Sequence, residues 1–257
     1  MDGTILVTGA TGTLGRPLVE RLLADGARVR VLSRRPRPQG DERDCVWAEG
    51  DLTTGAGLDA AVEGVSAIVH CATNARNDTQ TTRRLAEAAR KAGTPHLVYI
   101  SIVGIEQVPF PYYRSKLASE RVVMDSGLPW TIVRATQFHD LVALLTTAQR
   151  LLPVVLVPSG FRFQPIAVGE VAERLAELAR AAPAGRVPDL AGPEIRDARE
   201  LARLTLRATG RRRPLVPVWL PGKAFRGFRA GGNLAPERAV GKVTFTEYLE
   251  ARVRGRR

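Results

Sequence analysis

The chain has 257 residues, 44% apolar and 25% charged, a composition that buries a sizeable core without disulfides or a structural metal. Its net charge of +12 is unevenly placed: residues 1–195 carry 22 Lys+Arg against 21 Asp+Glu, and residues 196–257 carry 16 against 5. No apolar run approaches the roughly 20 residues that cross a bilayer, and residues 1–8 lack the basic start and long apolar stretch of a secretory leader, so neither a membrane partner nor export is expected.

Thr4–Val7 is a short apolar run ending in a glycine-rich turn, and a helical pattern follows with Leu14, Leu18 and Leu22 on one face. Ala27–Leu32, Cys45–Ala48 and Ala67–Cys71 read as strands. Thr79–Ala92 reads as a helix, His96–Ile100 as a strand, Tyr113–Met124 as a helix and Trp130–Val133 as a strand. Strands that are apolar almost throughout, alternating with helices, predict a doubly wound parallel sheet covered on both faces. Beyond Thr136 the rhythm loosens. Leu151–Val157 and Phe161–Ile166 are short apolar segments, while Val168–Ala182 and Asp197–Ala208 are amphipathic helices. Residues 214–241 resist assignment, and Phe225 and Phe228 fit either a lid or a packed helix. The arginine-rich residues 252–257 are expected to fray.

Gly9, Gly12 and Gly15 form a G-x-x-G-x-x-G turn between the first strand and the first helix. Glycine is needed where a turn is tight, where backbone approaches a pyrophosphate, and where helix packs closely on strand; the helix N-terminus adds N–H donors and a positive dipole end. The turn Gly9, Thr11, Gly12, Thr13, Leu14 and Gly15 is therefore the expected phosphate cradle of a dinucleotide. At the end of the second strand, Ser33, Arg34 and Arg35 stand where an acid would accept from the ribose 2′-hydroxyl of NAD. Two guanidiniums suit a 2′-phosphate instead, which predicts NADP(H), although arginine outnumbers lysine 34 to 4 and solvated arginines are an alternative.

The order and spacing of these landmarks resemble the short-chain dehydrogenase/reductase superfamily, in its atypical or extended (NmrA-like) branch. The resemblance extends through Gly50-Asp51-Leu52, Cys71-Ala72-Thr73-Asn74, Tyr99-Ile100-Ser101, Tyr112-Tyr113-Arg114-Ser115-Lys116, Arg134-Ala135-Thr136-Gln137-Phe138 and Gln164-Pro165-Ile166-Ala167-Val168, nearly the whole chain. It implies a Rossmann core over 1–135. The remainder, 136–257, would hold further Rossmann elements (including helix 168–182) and a small C-terminal substrate lobe. It also implies that Asp51 and Leu52 lie against adenine and that Cys71, Ala72, Thr73 and Asn74 line the cofactor.

Tyr112 and Lys116 form a Y-x-x-x-K pair, one helical turn apart. A free tyrosine titrates near pH 10, and a neighbouring ammonium lowers that value toward usefulness in proton transfer. The resemblance implies hydride exchange with a carbonyl carbon, Tyr112 handling the oxygen-bound proton, Lys116 activating it and binding the nicotinamide ribose, and Ser101 polarising the carbonyl. Ser101 is followed by Ile102 where many relatives carry a second hydroxyl, and Tyr113 competes with Tyr112 but lacks the four-residue spacing. Ligands of open α/β sheets sit beyond the carboxyl ends of the strands, which predicts substrate contacts for Gln137, Phe138 and His139.

Cys45 and Cys71 stand 26 apart with no Cys or His at ligand spacing, and His70, His96 and His139 are scattered; reduced thiols, a cytoplasmic setting and no metal are expected. Arg196, Arg199, Arg203 and Arg207 fall on one helical stripe, extended by residues 211–213, with no recognition motif beside them. The stripe predicts weak, sequence-blind DNA binding at most, hence no specific nucleic acid. The expected protein is an NADP(H)-dependent oxidoreductase of a small organic substrate, monomeric or homodimeric. A non-catalytic NADP(H)-sensing regulator and a non-redox dehydratase, epimerase or cyclase are the alternatives.

Overall fold

The structure, a computed structural model, describes residues 3–74 and 77–255. The chain begins with β1 (Thr4–Thr8), α1 (Gly15–Ala24), β2 (Val29–Ser33), β3 (Val46–Glu49), α2 (Leu58–Val62), β4 (Val65–His70) and α3 (Asp78–Lys91). It continues with β5 (His96–Ile102), α4 (Pro111–Met124), β6 (Trp130–Ala135), α5 (His139–Thr147), β7 (Val155–Pro158), β8 (Arg162–Phe163) and α6 (Val168–Arg180). The last elements are β9 (Gly185–Arg186), β10 (Arg196–Asp197), α7 (Ala198–Ala208), β11 (Leu215–Val218), α8 (Lys223–Arg229) and α9 (Phe245–Arg254).

Two compact units share the chain. The first takes residues up to Ser101, 114–133 and 171–187; the second takes 102–113, 134–170 and the chain from 188 onward. The first unit carries the Rossmann sheet, whose full strand order is β3-β2-β1-β4-β5-β6-β9. Ile5, Leu6, Val7 and Thr8 are all buried, as a strand covered on both faces must be. Val7 pairs in parallel with Val31 on one side and Val69 on the other. The strand order reverses between β1 and β4, so the crevice for a ligand opens beyond Thr8 and His70. Leu6, Ile68, Leu97, Tyr99 and Ile132 build one side of this core with Leu85 of α3. Helix α1 buries Leu18, Val19 and Leu22 and stops at Asp25, followed by Gly26 at φ +73°.

The second unit has less regular structure. It holds a parallel β7–β11 pair and an antiparallel β8–β10 pair. Val142, Val155, Phe161, Phe163, Leu201 and Phe245 form its core. Helix α7 starts at Asp197, whose carboxylate accepts from the backbone N–H groups of Arg199 and Glu200. Helix α9 starts with a reciprocal capping box between Thr244 and Glu247. That box and the burial of Phe245 and Leu249 carry α9 through Arg254, so Arg252 and Arg254 are helical where fraying was expected; Arg256 and Arg257 lie outside the described residues. The unassigned 214–241 stretch contains β11 and α8. Phe225 and Phe228 pack on the unit's core, Phe228 stacked on Phe161 at 5.2 Å.

Candidate dinucleotide site

At Gly9 and Gly15 the glycine turn is locked by contacts that leave no room for a side chain. Gly9 has φ +68°, and a Cβ on it would lie 2.6 Å from the Ala72 nitrogen. A Cβ on Gly15 would lie 2.2 Å from the Gly9 carbonyl oxygen, so α1 packs directly on the turn. Gly12 donates its N–H to that same carbonyl at 2.9 Å, and its own missing Cβ faces open space apart from this oxygen. Thr11, Gly12 and Thr13 are exposed, while Leu14 and Gly15 are buried. The N-terminus of α1 has no side-chain cap and no acid in its first turn. An uncapped helix start beside an exposed turn with Gly12 at its centre fits a pyrophosphate.

Past β2, the Ser33 hydroxyl accepts from the Arg35 N–H at 3.1 Å, and the Trp47 indole donates to the Arg35 carbonyl at 2.8 Å. This fixes the backbone while the Arg34 and Arg35 side chains stay exposed, with no ion pair to a described residue. Gly50, which follows β3, donates to the Ser33 carbonyl. The Asp51 carboxylate accepts from the Thr53 N–H at 2.8 Å, an Asx turn, and Leu52 packs half-buried on the first unit's core.

A buried polar cluster sits at the carboxyl ends of β4 and β5. The Lys116 ammonium, only 4% exposed, donates to the Tyr99 hydroxyl at 3.0 Å and the Ile100 carbonyl at 3.2 Å. The Asp78 carboxylate stands 3.9 Å from it and accepts from the Thr73 hydroxyl at 2.8 Å and from the Asn74 N–H. Burial raises the Tyr99 hydroxyl's pKa despite the ammonium, so Tyr99 stays a neutral phenol. Beneath lies a second chain of bonds. The Ala72 N–H donates to Thr8 Oγ1 at 3.2 Å, so the Thr8 proton goes to His70 Nδ1 at 2.7 Å. His70 Nε2–H then reaches Thr82 Oγ1 at 3.2 Å, and Thr82 donates to the Asp78 carbonyl at 2.7 Å. Burial, with the Lys116 charge adding to it, lowers His70 to about 3, so it is neutral. The same burial pushes the Cys71 thiol up to about 12.

Ser101 ends the first segment of the first unit. Its hydroxyl is buried and has no hydrogen-bond partner among the described residues. A buried hydroxyl without a partner is costly unless a ligand completes it. Tyr99 and Asp78 escaped the sequence reading as site residues. The available signal was a polar ring in an otherwise apolar strand, and an acid at the start of a helix shortly after the segment expected to line the cofactor.

In the second unit, Tyr112 is half-buried on the first turn of α4. Tyr113 is buried, edge-on to Phe110 and Phe228, and bonded to Gln137; burial lifts its hydroxyl to about 12. Gln137 also donates to the Asn233 carbonyl at 3.2 Å. Phe138 is half-buried and caps α5. His139 is wholly buried, stacked on Tyr248 at 5.1 Å and bonded to the Val243 carbonyl at 3.0 Å. Of the three residues expected at the substrate, the structure thus sets Gln137 and His139 into the packing of this unit, whereas Phe138 keeps some exposure. Among the described residues no group of three or more His, Cys, Asp or Glu is placed to hold a metal, and no described helix is long and apolar enough to cross a membrane.

Residues 9–180 match the family described as NAD(P)H-binding, and the chain belongs to that family. The (4-alkanoyl-5-oxo-2,5-dihydrofuran-3-yl)methyl phosphate reductase of Streptomyces griseus subsp. griseus is 35% identical over 216 residues, covering 80% of this chain and 74% of that protein. The ceramide reductase of Caulobacter vibrioides is 35% identical over 143 residues, covering 51% of this chain and 45% of that protein, so the match spans under half of that relative. Among solved structures, the NADPH-dependent quinone oxidoreductase of Escherichia coli, complexed with NADPH, superposes with a TM-score of 0.82 at 19% identity, covering 96% of this chain and 99% of that one. The triphenylmethane reductase of Citrobacter sp., complexed with NADP(H), gives 0.77 at 18% identity, with the same coverages of 96% and 99%. At those identities the superpositions speak for the fold. The family is reductase-like and its cofactor is a nicotinamide dinucleotide.

Proposed function

We propose that the chain is an NADP(H)-dependent oxidoreductase acting on a carbonyl-type group of a small organic substrate. The observation that carries this reading is the buried Lys116 ammonium, one helical turn from Tyr112, in a unit whose Ser101 hydroxyl has no partner among the described residues. The nicotinamide supplies or accepts hydride when bound. Tyr112 moves the proton at the substrate oxygen, and Lys116, one helical turn along α4, assists it and holds the nicotinamide ribose. Ser101 donates its hydrogen bond to that oxygen. The turn Gly9, Thr11, Gly12, Thr13, Leu14 and Gly15 holds the pyrophosphate. Arg34 and Arg35, exposed and without ion-pair partners among the described residues, meet the 2′-phosphate. Ala72, Thr73 and Asn74 line the cofactor over the His70–Thr82–Asp78 chain. The names of the relatives point to conjugated carbonyl compounds and quinones as the first substrates to try.

The test is steady-state reduction of such a panel with NADPH, with cofactor affinity measured separately. Tyr112→Phe removes only a hydroxyl, so NADPH binding persists while turnover drops by about two to four orders of magnitude. Replacing Arg34 and Arg35 together by alanine erases a preference for NADPH over NADH of at least about tenfold, since each charge-assisted bond is worth roughly 1.5–3 kcal/mol. Near-full turnover in Tyr112→Phe moves the non-redox alternatives ahead. Tight NADPH binding with no turnover on any substrate favours the regulator.

A further inference from the structure

The second unit carries a surface that the reductase reading leaves unused. Leu141, Leu144 and Leu145 stand exposed on α5, whose Val142, Ala143 and Thr146 face inward. Leu151 and Leu152 follow on the turn into β7, Leu151 being 91% exposed. Leu156 of β7 is exposed too, and its register partner Val216 on β11 is exposed beside it. Gln149 ties together the backbone segments that carry these groups. The Gln149 amide donates to the Leu145 carbonyl at 2.8 Å and the Leu156 carbonyl at 3.1 Å, and accepts from the Leu156 N–H at 2.9 Å. Arg213 holds the carbonyls of Gln149 and Val154 at 2.6 Å each, and that of Leu152.

Arg213 also joins this apolar face to a cationic one. Between α7 and β11 runs an open groove of about 500 Å³ lined by Arg199, Arg203, Arg207, Arg211 and Arg212. None of these five is ion-paired to a described residue, and no Asp or Glu occurs from 201 to 236. Arg196, at the head of the stripe, differs: it is held by Glu194 at 2.7 Å and by Glu200.

We propose that this face docks the protein onto an anionic lipid surface, with the groove arginines on the phosphates and Leu151 and Leu152 seated among the acyl chains. Large exposed apolar patches mark interaction sites, and interfacial binding combines buried apolar area with attraction to anionic headgroups. Nucleic acid answers the arginines but leaves the leucines in water. A second copy of the chain in a two-fold contact answers the leucines but brings two arginine grooves together. A lipid surface answers both. It requires no spanning segment, so it is compatible with the lack of one among the described helices.

Flotation of the whole protein with vesicles of phosphatidylcholine alone, and of an equal mixture with phosphatidylglycerol, tests this. Binding is expected to the mixed vesicles only. Arg203→Gln, Arg207→Gln and Arg211→Gln combined lower partitioning on the order of 100-fold, at about fivefold per cation. Leu144→Ser with Leu151→Ser lowers it at least about tenfold and removes the binding that survives high salt. These positions are exposed and outside the proposed active site, so NADPH binding stays unchanged in both variants and reports that the fold is intact. No binding to mixed vesicles overturns the proposal. So does binding that leucine substitution leaves unchanged, which marks a general polyanion surface such as one for DNA. Conversion of a dimer to a monomer by the leucine substitutions, with no vesicle binding, assigns the face to self-association instead.

Discussion

The two units satisfy their backbone groups in different ways. In the first, a parallel ladder pairs strand with strand, and side-chain bonds concentrate at the strand ends, around Thr8, His70, Asp78 and Lys116. In the second, irregular chain is held by buried amides and carboxylates. The Gln164 amide donates to the Gly192 carbonyl and accepts from the Ala235 N–H, both at 2.9 Å. Asn233 donates to the Arg162 carbonyl at 2.9 Å, and Glu170 accepts from the backbone of Lys242 and Val243. Buried backbone must be paired, and where no ladder exists side chains take its place. A polar residue inside the first unit therefore suggests function, whereas one inside the second is more often structural.

The contrast breaks most sharply at Gln164. Gln164→Leu keeps the volume and adds apolar surface, yet leaves a carbonyl and an N–H buried without partners, so a loss of about 3 kcal/mol is expected in chemical denaturation. Ile68→Val in the first unit's sheet is expected to cost only about 1 kcal/mol. If the two losses are equal, the distinction between the units fails.

Acid gives the next largest effect. His70 titrates near 6.5 when unfolded and about 3 when folded, so only the unfolded chain takes up its proton in between. Stability is flat above pH 6.5 and declines as the pH falls toward 3, by about 2 kcal/mol from His70 alone down to about pH 5. Burial lowers His96 and His139 in the same sense. Urea midpoints measured against pH check this: His70→Asn should be less stable at neutral pH but show a shallower acid limb. An unchanged slope would mean that His70 is not buried neutral.

The smallest effect separates two adjacent tyrosines. Tyr113→Phe loses the bond to Gln137 and should cost about 1 kcal/mol of stability with little change in turnover. Tyr112→Phe should show the reverse. Thermal unfolding and steady-state rates on the same two variants decide the assignment.

The first unit was legible because its signals are local. Apolar runs, a glycine triplet and helical spacing located β1, α1, β2 and the later strands within a few residues. In the second unit α5 was missed because apolar side chains lie on both its faces, Leu144 outward and Val142 inward, which erases the helical period. His139 was expected at the substrate because it follows a strand end; its burial depends on Tyr248 and Phe245, more than a hundred positions away, which no local pattern carries. The Lys116–Tyr99–Asp78 cluster was half visible. The lysine stood in a motif, but its partners come from β5 and α3 and meet it only once the sheet is assembled.

Both cysteines are free, and burial raises the pKa of each, Cys71 to about 12. Alkylation, peroxide oxidation and mixed-disulfide formation all proceed through the thiolate, which neither residue supplies near neutral pH. Cys71 follows the strand that ends beside the glycine turn, its N–H donating to the Thr8 carbonyl at 3.2 Å, so the segment expected to line a dinucleotide carries a thiol that stays protonated near neutral pH. The native protein should therefore tolerate oxidants and thiol reagents, and its cysteines should become reactive only on unfolding, when they report the loss of the fold.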